Sequence, residues 1–307
     1  MKETIKIGTR GSKLALWQAN EVQRIIKDKF PQIETEIVII KTKGDKILDT
    51  SLSKIGDKGL FTKEIEHALI NTDVDIAVHS FKDMPTELPD GLIIGAVLPR
   101  ADVRDVLVSK DGRMLSEMTE DDKIGTSSLR RKAQLLAYNP KLQIVDIRGN
   151  VETRLAKMNG GVCDAIVMAG AGFMRLGYQE QITEFLNEDI MLPAVSQGAV
   201  AIEVCENNEE ITDILDAVND EKTWIECMAE RCLLRTLEGG CQVPVGCLSA
   251  MKDSNFIMTA LVADVDGTRV VRESISCETD LASEKAIELG ELILEKGAKE
   301  ILNAIRK

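Results

Sequence analysis

Apolar positions along this chain recur with two periods, and the order in which those periods alternate predicts the elements. Residues 4–9, TIKIGT, read as a short buried strand. Over 12–30, SKLALWQANEVQRIIKDKF, the residues Leu14, Trp17, Val22, Ile25 and Ile26 share one helical face, and Ser12 stands where an N-cap oxygen is needed. A strand over 35–42, a helix over 62–71 and a strand over 74–80 follow. Residues 43–61 are rich in Gly, Asp, Lys and Ser and have no clean period, which predicts a mobile loop that could serve as a lid.

The second stretch repeats the first. KIGTRGSKLALWQAN (6–20) parallels KIGTSSLRRKAQLLAYN (123–139), and VDIAVHSFKDM (74–84) parallels CDAIVMAGAGF (163–173). Strand and helix alternate in both, so the expectation is two similar α/β lobes with mostly parallel, doubly wound sheets and a cleft between them. Beyond residue 220 the pattern changes to a helix over 221–238, strands over 243–250, 256–265 and 269–277 with a turn at Asp266-Gly267, and helices over 280–296 and 298–306. That is a smaller α+β domain with a three-stranded antiparallel sheet.

Charge narrows the chemistry. The 307 residues carry a formal net charge of −13, which argues against nucleic acid or an acidic membrane surface as a general partner. No run of about 18 apolar residues occurs, and MKETIKIGTRGSK has no apolar signal region, so a cytoplasmic protein is expected. Seven cysteines without a C-x-x-C and only two histidines give little support to a metal site and predict reduced thiols. No Walker motif is present, and GAGFMR, which reads as a glycine turn, has Arg175 where a dinucleotide fingerprint needs its last glycine.

Against that acidic background the arginines stand out. Arg10 precedes one helix, Arg130 and Arg131 lie in the first turn of another, and Arg148, Arg154 and Arg175 all fall near predicted strand ends. Open α/β sheets bind ligands at that edge. A guanidinium donates two parallel hydrogen bonds to a carboxylate or phosphate, so the group suits a polyanion, although any one of them could equally be a surface ion pair. In HSFKDMP (79–85), Lys82 and Asp83 should emerge directly after a buried strand. Asp83 could stabilise a cation or move protons, while His79 reads as a buried structural histidine rather than a base. Six cysteines sit in strand or helix patterns, but Cys241 in LEGGCQVPVG follows two glycines and precedes a turn, so its thiol can protrude as an attachment point or nucleophile.

Seven segments in this order, GTRGSKLALWQA, HSFKDMP, GTSSLRR, DIRGNVETRL, AGFMRL, LPAVSQGA and EGGCQVPVG, resemble the porphobilinogen deaminase (hydroxymethylbilane synthase) family from residue 5 to about 250. The resemblance implies head-to-tail joining of four porphobilinogen molecules into a linear tetrapyrrole with release of ammonia, on a dipyrromethane cofactor held through a thioether to Cys241. It implies periplasmic-binding-protein-like lobes at 1–98 with 199–216 and at 104–192, and a cofactor-bearing third domain at 220–307. By motif, Lys82, Asp83, Thr126, Ser128, Arg130, Arg131 and Arg154 would hold the cofactor. Arg10, Ser12, Arg148 and Arg154 would bind substrate, with Arg175 assisting as the chain lengthens. Asp83 would be the catalytic carboxylate, Lys54, Lys58 and Phe61 would belong to the lid, and Gln197 would lie at the hinge. A monomer with no metal is implied.

Two other readings compete. A two-lobed anion receptor fits the repeat and the arginines but not the placement of Cys241. A thiol-dependent acyl-transfer enzyme needs a base near Cys241, and both histidines are far away in sequence.

Overall fold

A computed structural model of the chain describes residues 2–46, 60–237 and 243–305. The chain divides into two compact units, Met1–Ala101 with Gly198–Trp224, and Asp102–Gln197 with Ile225–Lys307.

In the first unit, β1 (Thr4–Thr9), β2 (Glu34–Ile39), β3 (Ile76–Ser80), β4 (Leu92–Val97) and a late strand at Val200–Cys205 form one sheet in the order β2-β1-β3-late strand-β4. The first three are parallel and the late strand runs antiparallel to both of its neighbours. Helix α1 (Lys13–Lys29) covers one face, burying Ala19, Val22 and Ile26 against Ile5, Ile7 and Val78. Ser12 caps it, accepting the Ala15 N–H at 3.3 Å, as the sequence predicts; such a cap is worth about 1 kcal/mol.

β2 ends at Ile39, short of the predicted 42, and the first four residues of the expected loop form a helical turn, α2 (Lys43–Lys46). The cause is local: Asp45 accepts from the Thr42 backbone N–H and hydroxyl, an alternative to strand pairing. Helix α3 (Lys63–Ile70) packs Ile65 and Leu69 on the opposite face of the sheet, over Val74 and Ala77.

In the second unit, β5 (Asp105–Ser109), β6 (Lys123–Gly125), β7 (Gln143–Val145), β8 (Ala165–Ala169) and β9 (Glu184–Phe185) take the order β7-β6-β8-β5-β9. β7, β6 and β8 are parallel, and β5 is antiparallel to both neighbours. With the late strand of the first sheet numbered β10 (Val200–Cys205), the two sheets have one topology, and the fourth strand of each comes from the far side of a chain crossing.

The repeat holds down to single hydrogen bonds. Asp75 accepts the Lys6 N–H at 2.8 Å and donates its own N–H to the Lys6 carbonyl; Asp164 does the same with Lys123, also at 2.8 Å. A Cβ on Gly8 would meet Val74 at 3.0 Å, and one on Gly125 would meet Cys163 Sγ at 2.9 Å, so both strand ends need glycine for the same close approach.

Helices α4 (Leu129–Tyr138) and α5 (Val151–Asn159) follow β6 and β7. GAGFMR, expected as a glycine turn, is instead a short helix, α6 (Gly170–Arg175); a Cβ on Gly170 would meet Val106 at 3.0 Å, and its absence lets the helix start against β5. After α7 (Thr212–Val218) and α8 (Glu221–Thr236), three antiparallel strands β11 (Val245–Lys252), β12 (Asn255–Ala263) and β13 (Val270–Glu278) pair in sequence order. Their inner face buries Cys247, Phe256, Met258 and Ala260 against α8 and α9 (Ala282–Ile293). Gly297, at φ 108°, separates α9 from α10 (Lys299–Ile305). This sheet shares its compact unit with the second lobe: the Cys247 N–H reaches the Pro193 carbonyl at 2.9 Å, and Arg272 donates to the Asp189 carbonyl at 3.0 Å. No helix among the described residues is long and apolar enough to cross a membrane.

Candidate active site

The end of β3 builds the first half of the site. The strand runs into a single 3-10 turn, Phe81–Asp83, whose phenyl ring is fully buried. That anchor holds Lys82 half-buried and turns Asp83 outward, exposed at the rim of a pocket. The pocket is lined by Arg10, Ser12, Phe61, His79, Ser80 and Asp83, among others. Gln18 supports the floor, donating to the Ser80 hydroxyl at 2.9 Å.

Arg10 does not project freely. It is paired with Asp45, and its guanidinium carbon stacks 4.1 Å from the centroid of Phe61. Burial pushes the Asp45 carboxyl up, but Arg10 and Thr42 outweigh it and hold that carboxyl below its ordinary value. Phe61, expected as a lid residue, lies against Arg10. Lys54 and Lys58, the other two lid residues, lie outside the described residues, and so does Cys241.

In the second unit the residues expected to bind anions follow the C-terminal ends of β6, β7 and β8, three adjacent strands. Ser128 caps α4, accepting the Arg131 N–H at 3.4 Å, and the buried Thr126 hydroxyl accepts the Ser128 N–H at 3.2 Å. Past β7, which ends three residues before Arg148 rather than at it, Gly149 takes φ +121° and Asn150 caps α5 through the Thr153 N–H at 2.8 Å. Arg154 then folds back, its Nε donating to the Gly149 carbonyl at 2.8 Å, while Arg148 Nε lies 3.5 Å from Asp146. Arg175 stands half-buried in the last turn of α6.

Arg130 and Arg131 are buried, at 5% and 7% exposure, and both clamp one carboxylate, Asp105. Arg130 Nη1 reaches it at 2.7 Å and the Leu192 carbonyl at 2.6 Å; Arg131 Nη2 reaches it at 2.8 Å. Gln197 donates Nε2 to the same carboxylate at 3.0 Å and to the Val103 carbonyl at 2.8 Å. Gln197 is also the last residue before the chain re-enters the first unit. Burial alone would raise the Asp105 carboxyl; the two guanidiniums reverse that and hold it far below the usual carboxylate range. Two cations against one anion leave a net positive charge in a low-dielectric place, which favours an incoming carboxylate far more than the same charge would in water.

Asp105 was not legible as a site residue. It opens the ordinary apolar strand DVLVS, and its partners lie 25 and 26 residues on. Asp45 and Gln18 gave no signal either, since each acts through a partner distant in sequence.

The family model described as the porphobilinogen deaminase dipyromethane cofactor binding domain matches residues 5–213, and the model for the C-terminal domain of porphobilinogen deaminase matches 224–299. The chain belongs to the porphobilinogen deaminase family. Curated relatives named porphobilinogen deaminase agree along the whole length: 48% identity for that of Desulforamulus reducens, covering 100% of this chain and 99% of the other. That of Chlorobium phaeobacteroides gives 47% over 100% and 99%, and that of Syntrophomonas wolfei 47% over 99% and 99%. A putative methionine-binding lipoprotein from Bacillus subtilis matches at 10% identity and a TM-score of 0.43, over 72% of this chain and 92% of that one, too slight a likeness to carry function.

Proposed function

We propose that this chain is a transferase that condenses four porphobilinogen molecules head to tail into hydroxymethylbilane, with one ammonia released at each addition. The growing chain is held on a dipyrromethane primer bound through a thioether to Cys241. The observation that carries the reading is the kinship along the full chain at 48% identity. The donor set fits such a ligand: guanidiniums gathered at three adjacent strand ends, with more positive than negative charge, suit a molecule bearing several carboxylates.

Dipyrromethane, when bound, supplies the carbon nucleophile and primer for extension. In this reading Lys82, Asp83, Thr126, Ser128, Arg130, Arg131 and Arg154 hold it. Ser128 does so from a helix N-terminus, where backbone N–H groups favour an anion. Arg10, Ser12, Arg148 and Arg154 orient the carboxylates of the incoming porphobilinogen, and Arg175 takes those of the longer product. Arg10 is poised for this by Asp45 and Phe61, which fix its fork before substrate arrives. Asp83, exposed at the pocket rim, stabilises the cation that develops on the substrate ring as ammonia departs. Lys54, Lys58 and Phe61 close over the site, and Gln197 serves as hinge. The division into three domains, at 1–98 with 199–216, 104–192 and 220–307, belongs to the same reading, as do a monomeric state and a cytoplasmic location.

Intact-mass spectrometry of the purified protein tests the proposal. The parent should weigh the bare chain plus two pyrrole units and should release ammonia from porphobilinogen; Cys241→Ser should lose the added mass. A parent at bare-chain mass that leaves porphobilinogen unconsumed would overturn the reading in favour of an anion receptor.

A further inference from the structure

Beneath the pocket of the first unit, three titratable side chains are buried together and have no part in the reading above. Side chains alternate along β3 and β10: Ile76, Val78, Ile202 and Val204 enter the core under α1, so Ala77, His79, Ala201 and Glu203 face α3, which supplies Glu66. Glu203 is 0% exposed, Glu66 4% and His79 6%. His79 also lines the pocket, beside Asp83 and Arg10.

Their polar atoms are poorly satisfied. His79 Nε2 lies 3.0 Å from Glu203 Oε2, close enough for ion pairing but out of hydrogen-bond alignment. Among the described residues neither Glu203 oxygen has a hydrogen-bond partner, nor does Glu66 Oε1. A structural histidine accounts for the burial but not for these orphaned atoms, which native proteins ordinarily pair. Two dry carboxylates side by side do not both ionise. A proton that passes between one of these carboxyls and the imidazole leaves the net buried charge unchanged.

We propose that Glu66, Glu203 and His79 form a buried proton relay that opens into the pocket through His79. The inference rests on the porphobilinogen reading. In the step it serves, the C–N bond of the substrate aminomethyl group breaks and its electron pair leaves with nitrogen. The imidazolium of His79 gives its proton to that nitrogen, and ammonia departs. The positive charge passes to the substrate ring, where Asp83 faces it. The proton displaced when the new C–C bond forms restores the cluster, so the cycle is proton-neutral. Burial first, outweighing the Thr62 hydroxyl and helped by the neighbouring Glu203 charge, raises the Glu66 carboxyl above its ordinary value, which suits a store that keeps its proton. The other titratable groups near the cluster are the exposed His67 on α3 and Cys205 on β10, whose thiol is occupied by the Leu69 carbonyl.

The chain has only two histidines, so ring resonances of the holoprotein are readily assigned with a His67→Gln variant. Between about pH 5 and 9 the His79 ring and the carboxyl carbons of Glu66 and Glu203 should titrate with shared inflections, one of which is lost in Glu66→Gln. A His79 ring that ignores pH, or that titrates identically in parent and Glu66→Gln, overturns the relay whatever the enzyme's substrate proves to be. In turnover of porphobilinogen, Glu66→Gln and Glu203→Gln should each lower kcat about tenfold or more with KM within about twofold. Both variants within about twofold of parent kcat also overturn it. Cofactor loading and circular dichroism check the fold, and Glu66→Asp replaces any variant that fails them. A parent that does not consume porphobilinogen defeats the functional reading alone, since the resonance titration still decides the relay.

Discussion

Asp105→Asn is the most informative single change in the second unit. The carboxylate is fully buried and takes hydrogen bonds from Arg130, Arg131 and Gln197. Each guanidinium–carboxylate pair near 4 Å between charge centres is worth about 4 kcal/mol at an effective dielectric near 20, before desolvation. Asparagine keeps the volume and one acceptor oxygen but removes the anion, so two buried cations face each other without compensation. Breaking a buried pair in this way costs about 3–5 kcal/mol. The pH dependence has a definite sign. The folded-state pKa lies below the ordinary value of 3.8, so the contribution is fully present above about pH 4 and is lost as pH falls through the folded value. Urea unfolding followed by far-UV circular dichroism measures it. Trp17 and Trp224 both lie in the first unit, so their fluorescence in the same titration separates that unit from the one perturbed. A loss below about 1 kcal/mol at neutral pH would mean the arginines are not balanced by this carboxylate. So would a parent–variant gap that fails to narrow below about pH 4.

Three further outcomes are expected. Asp83→Asn should retain the covalent cofactor by intact mass yet slow turnover by about 100-fold or more, because geometry survives while the charge is lost; near-normal kcat would remove Asp83 from the chemistry. Gly149→Ala forces a side chain onto φ +121° with its Cβ 2.5 Å from Thr153 Cγ2. It should raise KM for porphobilinogen several-fold by displacing the carbonyl that holds Arg154, and destabilise by about 1–3 kcal/mol in denaturant; an unchanged KM contradicts the substrate role of that turn. Glu66 has a raised folded-state pKa, so its contribution to stability falls as pH climbs from its ordinary value of 4.5 through the folded value. Glu66→Gln should therefore be at least as stable as the parent at neutral pH and flatten that slope, as read from urea midpoints across pH.

Sequence pattern disclosed what is local and repeated. Ser12 could be read as a cap because it stands one residue before a helical period, and the parallel of 74–84 with 163–173 put Asp75 and Asp164 at matching places. The arginines were visible as a set because they crowd strand ends. What stayed hidden is carried by long-range partners. Asp105, Asp45 and Glu203 are single acidic residues whose meaning comes from what another strand or helix brings to them, and a carboxylate in an apolar strand has no period of its own. GAGFMR misled for the converse reason: three small residues suggest a turn, but their lack of bulk lets a helix begin directly against β5.

The crossing of strands between sequence halves has a consequence for biosynthesis. The sheet of the second lobe can close once the ribosome has passed Phe185, because its inserted strand β5 is made first. The sheet of the first lobe has to wait for β10, which lies between β3 and β4 and is translated about a hundred residues after them. The N-terminal third of the nascent polypeptide therefore emerges with the facing edges of β3 and β4 unpaired, and of the two lobes the one translated first completes its sheet second.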